Sequence, residues 1–180
     1  MESPADQGAT FVELFFDLVF VFAITRVTHY AAHHMDAQGL VRSLIVFWLI
    51  WWGWTQFTWA LNAANTEHHH VRLGTLIATG VAFVMAVSVE NAFAPRTEGA
   101  IWFASSYVVA RVLGLGIYYR VASDAHHRAS VVTFSLLSLL GLVAVLAGSL
   151  VDPDLREWIW LGAIVLDLGA AWIVGNSGCW

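Results

Sequence analysis

The chain has 180 residues, 59% of them hydrophobic and only 12% charged, with 10 Trp and a net charge of −5. A soluble domain carries about 25% charged residues, so this composition excludes an ordinary soluble domain, and the lack of a basic run excludes a nucleic-acid partner. The single Cys179 rules out an internal disulfide, and Glu2 and Asp6 ahead of the first apolar run argue against a cleaved signal peptide.

Six apolar runs are each long enough for a helical span of about 20 residues, and an all-α, polytopic transmembrane bundle follows. Taken as one transmembrane domain, the spans are predicted at 11–34, 40–62, 71–94, 97–121, 129–151 and 155–175. Their connections are short, so neighbours are antiparallel. The side holding the N-terminus is called side A here and the opposite one side B. Arg72, Arg120 and Arg128 lie toward side A, and Arg42, Arg96 and Arg156 toward side B. That count ties under the positive-inside rule; a cytoplasmic N-terminus is the expectation retained.

The first span carries three ionisable side chains in an otherwise apolar stretch: Glu13, Asp17 and Arg26. Asp17 and Arg26 are nine residues apart, hence on opposite faces at 3.6 residues per turn. The second span holds Trp48, Trp51, Trp52, Trp54 and Trp59 together with Gln56. Bulky packing and an aromatic-lined site are both open readings of it. Glu90 ends the third span and Arg111 lies within the fourth. Ser138, Gly141, Ala144 and Gly148 make a small-residue stripe on the fifth, read as close packing. Asp167 lies within the sixth.

Helical rise converts position into depth. Asp17 and Gln56 come out roughly 9 Å from side A, Asp167 about 12 Å and Arg111 about 15 Å. Asp17, Gln56, Arg111 and Asp167 therefore form one expected polar layer, with one cation for two acids. Arg26 and Glu90 are an expected second pair nearer side B. Because ionisable groups inside a span are costly to keep, they mark functional sites by default; ion pairs that fix helix register are the competing reading. Histidines in the turns (His68, His69, His70, His126 and His127) match no zinc spacing, so no metal and no cofactor is expected. Nucleophile-elbow, phosphate-loop and zinc-protease motifs are missing, so no enzyme is expected.

"ELFFDLVFVFAIT" (13–25), "WWGWTQFTW" (51–59), "RLGTL" from Arg72, "MAVSVENAF" (85–93) and "YVVAR" (107–111) resemble the bacterial low temperature requirement A family of membrane proteins. Glu13, Phe15, Phe16, Asp17, Phe20, Trp51, Trp52 and Trp54 fall in the matching motifs. Two departures stand out. The loop "NTEHHH" replaces an Asp-rich one. The Arg-His-Gly-Leu and Gly-Glu motifs of a second half have no match, so a half-length or truncated member that forms a homo-oligomer is expected. The first span is also similar to the pore helix of lysosomal-type potassium channels, at Phe15, Asp17, Val19, Phe20, Ala23, Ile24 and Thr25 but not at Phe16 or Leu18. These likenesses imply a bilayer-embedded protein whose first helix, wrapped by the others, carries function. Movement of a small solute, ion or proton is the expected activity. The alternative is a non-transporting membrane protein for stress adaptation or complex assembly.

Overall fold

The computed structural model describes residues 11–63, 69–121 and 125–176, with the side chains of 63, 69, 70, 121, 125–130 and 176 left out of the description. The loop-histidine expectation falls on these side chains and on His68, outside the described residues. Six helices follow in order: α1 (Phe11–His33), α2 (Ala37–Ala63), α3 (His69–Ser88), α4 (Thr97–Val121), α5 (Ala125–Gly148) and α6 (Pro153–Asn176). Among the described residues there is no strand. Five segments, Ala37–Asn62, Val71–Asn91, Thr97–Arg120, Val131–Gly148 and Pro153–Gly175, are long and apolar enough to cross a membrane. α1 has comparable length but carries Glu13, Asp17 and Arg26.

Several boundaries are set by local chemistry. α2 begins at Ala37 rather than 40 because the Asp36 carboxylate accepts the Gly39 N–H at 3.3 Å. α6 begins at Pro153 rather than 155: Asp152 caps it, its Oδ1 accepting the Leu155 N–H at 3.1 Å, and Pro153 occupies the first turn, where no N–H is required. The third span does not run as one α-helix to 94. It tightens into a 3-10 turn at Val89–Asn91, which carries Glu90.

Packing is centred on α4, which touches α2, α3 and α5, whereas α1 packs chiefly on α2 and α3. The expectation of a central first helix is therefore corrected. α1 is apolar on nearly every side; it buries Phe16, Val19, Phe20, Ala23 and Val27 and turns Leu14, Phe15, Leu18 and Val21 outward. Its neighbour α3 offers Ala78, Ala82 and Ala86, all fully buried, and such small residues let helices approach closely. The large outward-facing apolar side chains of all six helices suit a lipid surround.

α5 and α6 form a tight hairpin on the small-residue stripe. A Cβ at Gly148 would lie 2.7 Å from Trp160 Cδ1 and Nε1, and the buried Trp160 indole donates to the Val145 carbonyl at 2.9 Å. Trp160 also meets Phe93 edge-on at 5.1 Å and lies 5.5 Å from Phe103. Gly148→Ala is thus expected to destabilise the fold by about 1–3 kcal/mol through overpacking. Thermal unfolding in detergent checks this, and an unchanged midpoint would show that Trp160 has room to move.

Candidate functional site

Arg111 on α4 and Asp167 on α6 meet in the interior as a two-pronged pair. Nη1 donates to Oδ2 at 2.9 Å and Nη2 to Oδ1 at 3.1 Å. Nη1 also donates to the Tyr107 hydroxyl at 2.8 Å, one helical turn earlier on the same face of α4. All three side chains are buried. The planar guanidinium fork matches a carboxylate in this way, whereas an ammonium would not. Behind the carboxylate sits Gly141 of α5: a Cβ there would lie 3.2 Å from Asp167 Oδ1, so the stripe makes space for the acid as well as for helix contact.

Gln56 reaches the same level from α2. α2 and α4 run parallel, and the Tyr107 ring lies against Gly53, 3.7 Å from where its Cβ would be. Gln56 is three residues beyond Gly53 and Arg111 four beyond Tyr107, so the two advance together. The Gln56 side chain is buried, and neither its Oε1 nor its Nε2 finds a hydrogen-bond partner among the described residues. Arg111 Nε and the Ser138 hydroxyl, one turn before Gly141 on α5, are buried and unpartnered too. Ser138 was expected only as a packing residue; a hydroxyl in the middle of a close-packed apolar stripe was the signal for more.

Asp17 does not join this layer. Its depth is comparable, but the buried face of α1 is the one holding Phe16, Val19, Phe20 and Ala23, and the carboxylate points away from the bundle centre. Its Oδ1 accepts the Trp54 indole N–H at 2.8 Å. Asp17 and Trp54 lie in an open groove of about 350 Å³ between α1 and α2, whose other walls are Phe20, Val21, Ile24, Phe47, Ile50 and Trp51. The expected surplus of acid over Arg111 is thereby removed: among the described residues this layer holds one cation, Arg111, and one anion, Asp167.

The second pair comes together at the α1–α3 face. Arg26 Nη2 lies 2.8 Å from Glu90 Oε1, and His29 Nε2 lies 3.4 Å from the same oxygen; both partners are partly exposed. Glu13 lies in the first turn of α1, where a negative charge is favoured by the helix dipole. Of the tryptophans, Trp52 is buried with an indole N–H that has no partner among the described residues, while Trp51 and Trp59 remain substantially exposed. Trp48, Trp51, Trp52 and Trp59 also lie ring to ring, at 5.1 to 6.4 Å.

Two polar assemblies at side B had no counterpart in the expectations. Arg156 is fully buried and donates only to backbone: Nε to Gly148 O at 3.2 Å, Nη1 to Ala92 O at 2.7 Å and Ala94 O at 3.3 Å, and Nη2 to Val151 O at 2.7 Å. Arg42 bridges Asp154 at 2.6 Å and Glu157 at 3.1 Å and covers the Phe93 ring at 5.1 Å. Gln38 donates to the same two acids. Among the described residues no group of three His, Cys, Asp or Glu side chains is placed to hold a metal ion.

The family model described as "Bacterial low temperature requirement A protein (LtrA)" matches residues 8–178. A protein of Rhizobium meliloti (strain 1021), described as uncharacterized, is 28% identical over 169 residues, covering 92% of this chain. The chain spans 40% of that relative's length. No solved structure matches it. With its apolar helices, its buried charges and a match over nearly its whole length, the chain belongs to the bacterial low temperature requirement A family.

Proposed function

We propose that this chain is a multi-pass membrane protein that moves a small polar solute, an ion or a proton through the interior between α2, α4, α5 and α6. One observation carries the reading: around Arg111 and Asp167, the Gln56 amide, the Ser138 hydroxyl and Arg111 Nε are buried without partners among the described residues. A polar group kept from both water and a hydrogen bond costs about 1–3 kcal/mol by mutational measures and more in hydrocarbon. A passing solute or water supplies what these groups lack. The reading assigns transport rather than catalysis, a cytoplasmic N-terminus and assembly into a homo-oligomer; accessibility of an N-terminal tag and cross-linking in membranes check the last two.

Gln56→Leu is the test. Liposomes containing the variant are expected to lose at least tenfold of the potassium or proton flux of the unaltered protein. The variant itself gains stability, by about 1–3 kcal/mol, as an unsatisfied amide is removed. A flux unchanged by Gln56→Leu overturns the reading.

A second reading has its own support. The bidentate match of Arg111 to Asp167 leaves no spare charge in this layer among the described residues, which suits a non-transporting protein whose ion pairs fix helix register for stress adaptation or complex assembly. Liposomes with no flux above lipid alone favour that reading.

A further inference from the structure

The Asp17 groove lies outside the proposed path, and we infer that it binds an amphiphilic organic cation: a single ammonium or phosphonium centre carrying an apolar body. Asp17 is the only charged residue among its eight walls. The rest are Phe20, Val21, Ile24, Phe47, Ile50, Trp51 and Trp54, so a cation placed beside Asp17 meets a carboxylate in a wall rich in aromatic rings. Aromatic rings attract cations through their quadrupole, most strongly where water is excluded. The Trp54 indole holds Oδ1 at 2.8 Å, which orients the carboxylate, and Asp17 has no other partner among the described residues. The volume of about 350 Å³ fits a small amphiphile better than a hydrated metal ion.

Depth chooses the source of the ligand. Asp17 lies six residues into α1, roughly 9 Å along the helix from its start. A lipid headgroup amine stays at the interface, above that level, whereas a small amphiphile that has partitioned into the leaflet reaches it from the side. Val21, Phe47 and Trp51 are open to the outside of the bundle, which leaves a lateral entrance. The occupant is therefore a membrane-partitioned cation, rather than a lipid headgroup or a second copy of the chain.

The probe is radiolabelled tetraphenylphosphonium, with triphenylphosphine oxide as its neutral counterpart, on the full chain in phosphatidylglycerol vesicles. Saturable binding is expected, competed at least tenfold more weakly by the neutral compound, and weakened at least tenfold by Asp17→Asn. Trp51→Leu, on the exposed rim, is expected to weaken it severalfold. A measurement on the unaltered protein avoids any folding defect of the variants: dicyclohexylcarbodiimide should label Asp17, as mapped by mass spectrometry, and tetraphenylphosphonium should protect it. Binding that is unsaturable, indifferent to Asp17→Asn in a folded variant, or equally competed by the neutral compound overturns the inference. So does failure of the cation to protect Asp17, loss of binding on adding phosphatidylethanolamine, or cross-links between copies through the groove that the cation does not displace. All these readouts report occupancy of the groove at Asp17 and none measures transport, so they stand or fall independently of flux through the interior.

Discussion

Asp167→Leu will cost about 3–5 kcal/mol of stability, and adding Arg111→Met will return most of it. The single substitution leaves a guanidinium sealed among α4, α5 and α6 with, among the described residues, only the Tyr107 hydroxyl to receive its protons. Removing one member of a buried pair strands the other charge, which is where the cost arises, whereas removing both exchanges two desolvated ions for apolar packing of similar volume. Leucine has the same branched four-heavy-atom skeleton as aspartate, and Gly141, lacking a Cβ, keeps the space that its slightly larger methyl groups need. Unfolding of the two single variants and the double variant, measured in the same detergent, gives the coupling directly. A sum of single effects equal to the double effect would mean that the pair contributes nothing as a pair.

The next largest loss is expected at Arg156. Arg156→Leu is expected to destabilise by about 3–5 kcal/mol, since it removes charge-assisted hydrogen bonds to four carbonyls, each worth about 1.5–3 kcal/mol before water returns to the freed acceptors. Arg156→Lys should fall between the two. An ammonium keeps the charge but offers three donors from a single point, whereas the guanidinium reaches Gly148, Val151, Ala92 and Ala94 from a plane. The predicted order of stability is Arg, then Lys, then Leu. Equal stability of the lysine and leucine variants would show that packing, not hydrogen bonding, is what Arg156 contributes.

Much of this architecture is legible in the sequence. The helix count followed from run lengths and short turns. The Arg111–Asp167 meeting followed from depth, because rise per residue is fixed whatever the surroundings. Rotation about the helix axis is a different matter. α1 carries Leu, Phe and Val on almost every side, so no apolar stripe fixes its phase, and Asp17 was placed at the right depth but on the wrong face. Burial of Phe16 and Phe20, stacked with Phe57 in the case of Phe16, decides the phase instead.

The role of Arg156 is not legible in the sequence, because an arginine beside Asp152, Asp154 and Glu157 reads as a loop charge. A clue was present nonetheless. It lies in the first turns of α6, where the helix dipole disfavours a cation, so something outside the helix had to compensate it. Its partners are main-chain carbonyls, which carry no residue-type signal. Ser138 and Gln56 could be flagged as polar residues in apolar helices, but that their partners are missing is a property of three-dimensional packing alone.

Arg156 also bears on the order in which the protein is built. The carbonyls it binds belong to the α3–α4 turn and the α5–α6 turn, yet the guanidinium itself arrives on α6. During synthesis the earlier hairpin therefore waits, its turn carbonyls held by water or headgroups, until the sixth helix emerges. Closure of side B is a late event that reports the arrival of α6, and a released chain truncated before residue 156 would hold five helices with these two turns still unfastened.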